Sequence, residues 1–405
     1  MNILFMTLLD FDNIDEHNIY TDLLRKFYNE GHGVYVISPV ERRRNIDTYC
    51  LKVNDRLSIL KLKIGNTQKI NIIEKGISTI TLEHRFISGI KKFFTEVRFD
   101  LVLYSTPPIT LQKAVEYVKR KDNAVTYLML KDIFPQNAVD MCMLHKNGIR
   151  GILYRYFRNK EEKLYRDSDY IGCMSENNVK FLLKHNPGLK SDKVEICPNA
   201  IEPMPNVRIS DAKKEVIKKR YDIPTGKLIF LYGGNLGRPQ GVDFLLQVID
   251  ECEESDCFFL IVGNGTEYQR MKTCIDRMDT GKVKLMNYLP KEEYEEIVNI
   301  SDVGLVFLDG RFTVPNIPSR MLSYMQASVP MLAATDESTD IKRIFEENHM
   351  GMWCRNGNAK AFFKHMEMLK DQKTRKTMGE NGRKYLEEHC TVQICYDVIM
   401  RHMKR

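Results

Sequence analysis

The sequence has 405 residues, of which 43% are hydrophobic and 28% are charged, with a formal net charge of +7. At roughly 100–200 residues per domain this length predicts two or three domains, and the composition excludes a disordered or collagen-like chain. No apolar run approaches the roughly 18 residues that cross a bilayer, and the N-terminal segment, which lacks basic residues and reaches an acid at Asp10, is not typical of a signal peptide.

The basic excess lies in the first half of the chain. Residues 1–205 contain 31 Lys and Arg against 25 Asp and Glu, whereas residues 206–405 contain 30 against 29. Such an excess suits a phosphate-bearing partner or an anionic membrane surface better than duplex nucleic acid. We therefore expect no nucleic-acid partner. The ten cysteines include no CxxC pair, which indicates reduced cytoplasmic thiols and no metal site.

Short, continuous apolar runs recur along the chain, and each is followed by a helical pattern. The predicted strands are 3–7, 34–38, 101–105, 125–130, 170–174 and 194–197 in the first half, and 228–232, 258–262, 283–285, 303–307 and 330–334 in the second. Such runs are typical of strands buried on both faces of a parallel sheet. Residues 51–82 depart from the pattern and indicate shorter strands or an insertion.

This alternation predicts an α/β fold with two Rossmann-like, doubly wound lobes that face each other across a ligand-binding cleft. The segment 201–211 has two prolines and no periodicity, which is typical of a linker. We predict an N-terminal domain over 1–203 and a C-terminal domain over 204–382. The chain is expected to be helical from about 358, and 383–405 to be a helix that packs back toward the N-terminal domain.

The strongest local motif is the strand, glycine-rich loop and helix of 228–243, with Arg238 among four glycines. Backbone N–H groups at glycines and at a helix N-terminus bind anions, and Arg238 adds a positive charge, so the loop suits a diphosphate. A glycine-rich structural turn is the alternative. The loop is neither a P-loop nor a GxGxxG fingerprint.

A second loop, over 314–320, places two prolines before a predicted helix. Ser319 is in position to cap this helix, and Arg320 lies in its first turn. A cation there opposes the helix dipole, which favours an anion bound nearby.

The order of the motifs resembles that of family-4 glycosyltransferases of the GT-B fold, of the type that builds bacterial surface polysaccharide (capsule or O-antigen). The motifs are GNLGRPQGVD, IVGNG, VKLMNYLP, SDVGLV, PSRMLSYM and NGRKY, and KDIFP at 131–135 resembles the DLWP of aminosugar transferases. The resemblance implies a donor-binding set made of Gly234, Asn235, Arg238, Gln240, Gly263, Tyr288, Leu289, Asn316, Ser319, Arg320 and Ser323.

Within this set, the resemblance implies that the loop of Gln240 meets the donor diphosphate and that the backbone at Tyr288 and Leu289 meets the nucleobase. Residues 316–319 approach the donor sugar. Many relatives have a lysine where Gln240 stands, so Arg238 is expected to supply that charge. The chain departs from the family where many relatives carry two glutamates, because Pro315 and Ser323 stand there.

The mechanism that the resemblance implies is retaining transfer, with no metal, no cofactor and no clear protein nucleophile. Arg238 and Arg320 would stabilise the charge that develops on the leaving nucleoside diphosphate. Asp132 is expected to orient or deprotonate the acceptor hydroxyl, and a helix cap before Pro135 is its alternative role. The predicted catalytic residues are therefore Asp132, Arg238 and Arg320.

Residues 141–166 hold seven Lys and Arg against two Glu. Ile149, Ile152, Leu153, Tyr156 and Phe157 share one helical face. A basic amphipathic helix with aromatic residues is typical of an interfacial membrane anchor, and the alternative is that this face packs in the lobe core. The predicted membrane-facing residues are Arg150, Arg155, Tyr156, Phe157 and Arg158.

Together these features predict a metal-independent glycosyltransferase that moves a sugar from a nucleoside diphosphate, UDP by expectation, to a lipid-diphosphate-linked glycan. The protein is expected in the cytoplasm, peripheral on the inner face of the plasma membrane. A sugar-nucleotide 2-epimerase of the same architecture and a catalytically degenerate binding or scaffold relative are the alternatives.

Overall fold

The computed structural model describes residues 1–66, 72–148, 151–205, 209–278 and 281–403, and over 72–80 it describes the backbone alone. The chain divides into two compact units, Met1–Glu202 with Val392–Arg405 and Pro203–Thr391. The first division lies beside the predicted boundary at 203. The second falls after Thr391, beyond the predicted boundary at 382.

The first unit is built on one sheet. Its strands are β1 (Asn2–Met6), β2 (Gly33–Glu41), β3 (Tyr49–Asn54), β4 (Leu57–Ile64), β5 (Leu101–Ser105), β6 (Val125–Leu130), β7 (Tyr170–Cys173) and β8 (Val194–Ile196). Within the described residues the strand order is β3-β4-β2-β1-β5-β6-β7-β8. β3 is antiparallel to β4, and the other pairs are parallel. This confirms the predicted α/β class.

Helices flank this sheet. They are α1 (Thr21–Asn29), α2 (Ile72–Phe93), α3 (Gln112–Asp122), α4 (Gln136–Asp140), α5 (Gly151–Asp167) and α6 (Glu176–His185). The region 51–82, where shorter strands or an insertion were expected, contains most of the six-residue antiparallel strand β3, the eight-residue strand β4 and the start of α2, so the departure from strand–helix alternation is confirmed and the strands are not shorter than most of the others. Lys61 interrupts the apolar pattern of β4, yet it is buried because its Nζ bonds the Asp10 carboxylate and the Phe11 carbonyl, the latter at 3.0 Å.

The second unit has a parallel sheet. Its strands are β9 (Leu228–Gly233), β10 (Cys257–Val262), β11 (Val283–Met286), β12 (Val303–Phe307), β13 (Met331–Thr335) and β14 (Gly351–Arg355). In the described part of the unit the order is β11-β10-β9-β12-β13-β14. The sequence did not predict β14, because this edge strand alternates between buried and partly exposed positions and ends in an exposed arginine.

The helices of the second unit complete a doubly wound arrangement. They are α7 (Asp211–Arg220), α8 (Val242–Asp250), α9 (Tyr268–Met278), α10 (Lys291–Asn299), α11 (Arg320–Gln326), α12 (Ile341–Asn348), α13 (Ala359–Met368) and α14 (Gln372–His389). The chain builds the sheet outward from β9 in one direction and then from β12 in the other. The crevice between the carboxyl ends of these two strands is the place where doubly wound sheets bind ligands.

The last helix, α15 (Val392–Met400), returns to the first unit. The Val392 N–H donates to the Ile201 carbonyl at 3.1 Å, and the Tyr396 ring packs on Phe27 with 5.0 Å between centroids. Beyond the helix, His402 stacks on Tyr170 at 3.6 Å. The single helix expected over 383–405 is therefore two helices, and α14 belongs to the second unit.

Tyr324 joins α11 to the sheet, which gives a first prediction. Its buried hydroxyl donates to the Leu231 carbonyl at 3.0 Å and accepts from the Gly233 N–H at 3.1 Å. Tyr324→Phe should lower the free energy of unfolding by about 1–3 kcal/mol in urea titrations, because it leaves a buried N–H without its partner. The control is Tyr28→Phe, whose hydroxyl bonds Asn54 at the surface and whose loss should cost less than about 0.5 kcal/mol. Equal stability of both variants would contradict this role.

Candidate active site

Two glycine-rich turns meet at the carboxyl ends of β9 and β10. The Gly234 N–H donates to the Val262 carbonyl, and the Leu236 N–H donates to the Asn264 carbonyl, each at 2.9 Å. A Cβ atom on Gly263 would lie 1.8 Å from the Gly234 carbonyl oxygen. A side chain at position 263 would therefore clash with the backbone of the 234–241 loop. On the exposed side of this loop, Gly234 has no side chain that would block a ligand.

Arg320, the first residue of α11, extends over this loop. Its guanidinium carbon lies 4.6 Å from the centre of the Tyr232 ring, and Nη2 donates to the Gln240 side-chain oxygen. Nη1 is buried and has no hydrogen-bond partner among the described residues. An ideal Cβ on Gly234 would lie 3.5 Å from Nε. Arg320 is thus a positive charge held by neutral groups beside a glycine turn, which suits an anion.

Arg320 is half-buried and lies beside buried aromatic side chains. Tyr232 and Tyr324 are fully buried. Burial raises the pKa of the Tyr294 hydroxyl to about 12, although the nearby Arg320 charge partly opposes the shift. In a site of low polarity an electrostatic interaction is stronger than in water, so an anion at Arg320 would be held more firmly than at a surface arginine.

Arg238 has a different environment. Its side chain is 69% exposed, and Nε lies 3.4 Å from a Glu267 carboxylate oxygen. Glu267 also pairs with Arg270 at 2.7 Å. The charge of Arg238 is therefore shared with an acid at the rim of the loop. Asn235 is exposed nearby, and its carbonyl accepts a hydrogen bond from the Tyr232 hydroxyl at 2.8 Å.

The remaining predicted donor residues line neighbouring loops. Tyr288 follows β11 and is 75% exposed, and Leu289 beside it is half-buried. Ser319 is the N-cap residue of α11, but within the described structure its side chain makes no capping bond, so the expected cap is wrong. Ser323 is half-buried on the same helix, and Asn316 is half-buried in the preceding loop.

The structure brings Gly234, Gln240, Gly263 and Arg320 together, and leaves Arg238 and Tyr288 exposed around them. Tyr232, whose ring packs on Arg320, and Glu267, which pairs with Arg238, were not identified from the sequence. Tyr232 had one available signal, since an aromatic residue at the carboxyl end of a strand, directly before the glycines, is placed to face a ligand.

Asp132 lies in the first unit, just after β6. The Asn137 amide donates to both carboxylate oxygens, at 2.7 and 2.8 Å, and the Asp132 N–H and carbonyl both bond the Thr106 hydroxyl. The N-cap position of α4 is occupied by Pro135, so the alternative role of Asp132 as a helix cap is wrong. Burial raises the pKa of the Asp132 carboxyl to about 6, although the Ile133 N–H and the Asn137 amide favour its ionised form.

Helix α5 exposes apolar residues. Ile152 is 59%, Leu153 48% and Tyr156 38% exposed, so the alternative that this face packs in the core is wrong for these three residues. These three residues, with the exposed Arg155, are called the α5 patch. Two predicted members of the face, Ile149 and Arg150, lie outside the described residues.

Phe157 and Arg158 stand apart from the α5 patch. The half-buried Phe157 packs against Phe134 at 5.0 Å. Arg158 is 19% exposed because it pairs with Glu161 and Glu162 and donates to the Asn186 side chain. Its charge is used within the first unit and is not available to a membrane. In the described parts of the chain no helix is long and apolar enough to span a membrane.

Comparisons with known proteins agree with this architecture. Residues 213–385 match the family described as glycosyl transferases group 1. The probable glycosyltransferase WbjE of Pseudomonas aeruginosa is 23% identical over 82% of this chain and 80% of its own length. The putative colanic acid biosynthesis glycosyl transferase WcaI of Escherichia coli (strain K12) is 22% identical over 61% of this chain and 60% of its own.

Solved structures match over nearly the whole chain. WaaG, a glycosyltransferase involved in lipopolysaccharide biosynthesis, aligns with a TM-score of 0.69 at 12% identity and covers 98% of both chains. Anabaena Alr3699/HepE in complex with UDP-glucose aligns with a TM-score of 0.69 at 12% identity, over 100% of this chain and 99% of its own. The fold is therefore the two-unit α/β fold of GT-B glycosyltransferases. Residues 213–385 are similar to the group 1 glycosyl transferases, and together with the glycosyltransferase relatives this match supports transferase activity.

The pKa of Asp132 gives a prediction for the reaction. If this carboxylate accepts the proton of the acceptor hydroxyl, kcat/KM should fall as the pH drops through about 6, because the protonated carboxyl cannot accept a proton. Asp132→Asn should lower kcat about a hundred- to ten-thousand-fold. Asn137→Ala should move the acidic limb of the pH profile upward, because it removes two hydrogen bonds that favour the ionised form. Near-wild-type turnover in Asp132→Asn would rule out the role.

Proposed function

We propose that the protein is a retaining, metal-independent transferase that moves a sugar from UDP to a lipid-linked oligosaccharide during bacterial surface polysaccharide biosynthesis. The observation that carries the donor half of the proposal is the guanidinium of Arg320. Its Nη1 is buried without a partner among the described residues. Nε and Nη2 of the same guanidinium lie nearest to Gly234, 3.5 and 3.7 Å from an ideal Cβ built there. A donor phosphate oxygen is the ligand that would complete its hydrogen bonds.

The reaction makes use of this charge. When the bond between the sugar and the terminal phosphate breaks, the leaving UDP gains negative charge. Arg320 stabilises that charge in place, because Tyr232 and Gln240 already hold the guanidinium. Arg238 adds a second, more exposed cation at the rim. HepE, which shares the fold, has been solved with UDP-glucose, and this supports UDP as the nucleotide.

The part of the proposal that concerns the acceptor is supported by Asp132 and by the relatives. The buried Asp132 carboxylate, fixed by Asn137, takes the proton of the acceptor hydroxyl as it attacks the sugar. WcaI is named for colanic acid biosynthesis and WaaG is involved in lipopolysaccharide biosynthesis, which supports a glycan acceptor of the bacterial surface.

Arginine variants test the donor site. Arg320→Ala should weaken UDP binding about ten- to a hundredfold in calorimetry, because it removes a charge-assisted hydrogen bond in a partly buried site. Arg238→Ala should weaken it less, about two- to fivefold, because that side chain is exposed and shares Glu267. Arg320→Lys keeps the positive charge and loses the two-pronged hydrogen-bonding geometry of the guanidinium, so its loss of UDP affinity should lie between those of the two alanine variants. UDP affinity unchanged in Arg320→Ala would refute the donor site.

The α5 patch supports a membrane-bound acceptor. Ile152, Leu153 and Tyr156 present apolar surface to solvent, and Arg155 and Lys163 are exposed on the same helix. Exposed apolar side chains beside cations fit the interface of an anionic bilayer, where the rings and aliphatic groups enter the headgroup region. The proposal therefore places the protein in the cytoplasm, on the inner face of the plasma membrane.

Vesicle co-sedimentation tests this surface. Wild-type protein should sediment with vesicles that contain phosphatidylglycerol and much less with pure phosphatidylcholine, since each exposed cation contributes about 1 kcal/mol at an anionic surface. The Ile152→Ser/Leu153→Ser double variant should lose most of this binding. Val216→Ser, which alters a 60% exposed valine on α7, is the control and should bind like wild type. Absence of wild-type binding to both vesicles would remove the membrane from the proposal.

A further inference from the structure

The loop that joins β12 to α11, residues 308–319, borders the Arg320 site at both ends. At its start, the Asp309 N–H donates to the Pro239 carbonyl at 3.0 Å. At its end, Arg320 bonds Gln240, the residue after Pro239. The loop therefore starts and ends beside the Arg320 site.

A second turn, which follows β13, holds the middle of this loop. The Thr339 hydroxyl donates to the Asn316 carbonyl at 2.6 Å, and the Ser338 hydroxyl donates to the Phe312 carbonyl at 3.2 Å. Thr339 is 4% exposed, so its hydrogen bond is shielded from water. The path of the 308–319 loop is thus fixed by two hydroxyls from a neighbouring strand end.

Asp336 orients these hydroxyls. One oxygen of its buried carboxylate accepts the N–H groups of Ser338 at 2.8 Å and Thr339 at 3.1 Å. The other oxygen, Oδ2, is buried and has no hydrogen-bond partner in the described part of the chain. A buried carboxylate oxygen without a hydrogen-bond partner is unfavourable, and burial raises the pKa of the Asp336 carboxyl to about 6.

We infer that Thr339, oriented by Asp336, is a positioning residue that sets the 316–319 stretch against the sugar of the donor and so contributes to sugar selectivity. The inference rests on the proposed nucleotide-sugar donor. Because Thr339 bonds a carbonyl that lies four residues before Arg320, its loss should displace the sugar-facing stretch. The guanidinium itself remains fixed by Tyr232, Gln240 and the start of α11.

The matched variants are Thr339→Val, which keeps the shape and removes the hydroxyl, and Thr339→Ser, which keeps the hydroxyl. In hydrogen–deuterium exchange of the free protein, Thr339→Val should speed exchange of the 309–319 amides, whereas Thr339→Ser should match wild type. Exchange in β9 and α8 should be the same in all three proteins, which excludes general unfolding.

Binding measurements then distinguish a role of Thr339 in positioning the loop against the sugar from a merely structural role. Calorimetry with UDP, and with UDP-glucose, UDP-galactose and UDP-N-acetylglucosamine, identifies the tightest sugar nucleotide for the wild type. Thr339→Val should weaken that sugar nucleotide about three- to tenfold, the effect of one hydrogen bond, and leave UDP within about twofold. In turnover with that donor, KM should rise by the same factor, and Thr339→Ser should restore it.

The outcomes are distinct. Unchanged exchange of 309–319 in Thr339→Val, or an equal loss of UDP and sugar-nucleotide affinity, would overturn the positioning role. If wild-type protein binds neither UDP nor any of the three sugar nucleotides, the proposed donor fails and the selectivity role fails with it. The exchange experiment still decides whether Thr339 anchors the loop.

Discussion

The site of the second unit depends on one partly buried guanidinium, that of Arg320, which has no acidic partner among the described residues. Desolvation of a cation costs free energy unless polar groups face it. Arg320 meets the ring of Tyr232 and the side-chain oxygen of Gln240, which orient the guanidinium and leave its charge unneutralised. At Gln240, where many relatives have a lysine, the side-chain amide oxygen accepts a hydrogen bond from Arg320, which a lysine ammonium could not do.

Much of the fold was predictable because the strands that build it are buried on both faces. β5, β6 and β12 appear in the sequence as uninterrupted apolar runs, and their predicted bounds match the observed ones. β4 and β14 were not predictable in this way. β4 contains a buried lysine that is satisfied by residues of a distant loop, and β14 is an edge strand with exposed positions.

The candidate site was predictable as a region and not as a set of contacts. The two loops could be recognised in the sequence. A close backbone approach requires glycines, and a cation in the first turn of a helix, as at Arg320, is unusual enough to be noticed. The neutral support of Arg320 by Tyr232, and the anchoring of Asn316 by Thr339, join residues far apart in the chain. The basic residues of 141–166 were also misjudged from the sequence. Arg158 forms an ion pair with Glu161 and Lys160 with Glu83, both within the first unit. A count of charges therefore overstates what that helix offers to a partner.

The return of α15 to the first unit constrains how the protein is made. Val392, Cys395 and Ile399 belong to the same apolar core as Phe27 and the first strands. A ribosome delivers these residues only after all of Pro203–Thr391 has been synthesised. The part of the first unit that is synthesised early therefore keeps some of its apolar surface exposed until the second unit has been synthesised. The first unit is therefore the first to be started and the last to be completed, when α15 packs onto its core.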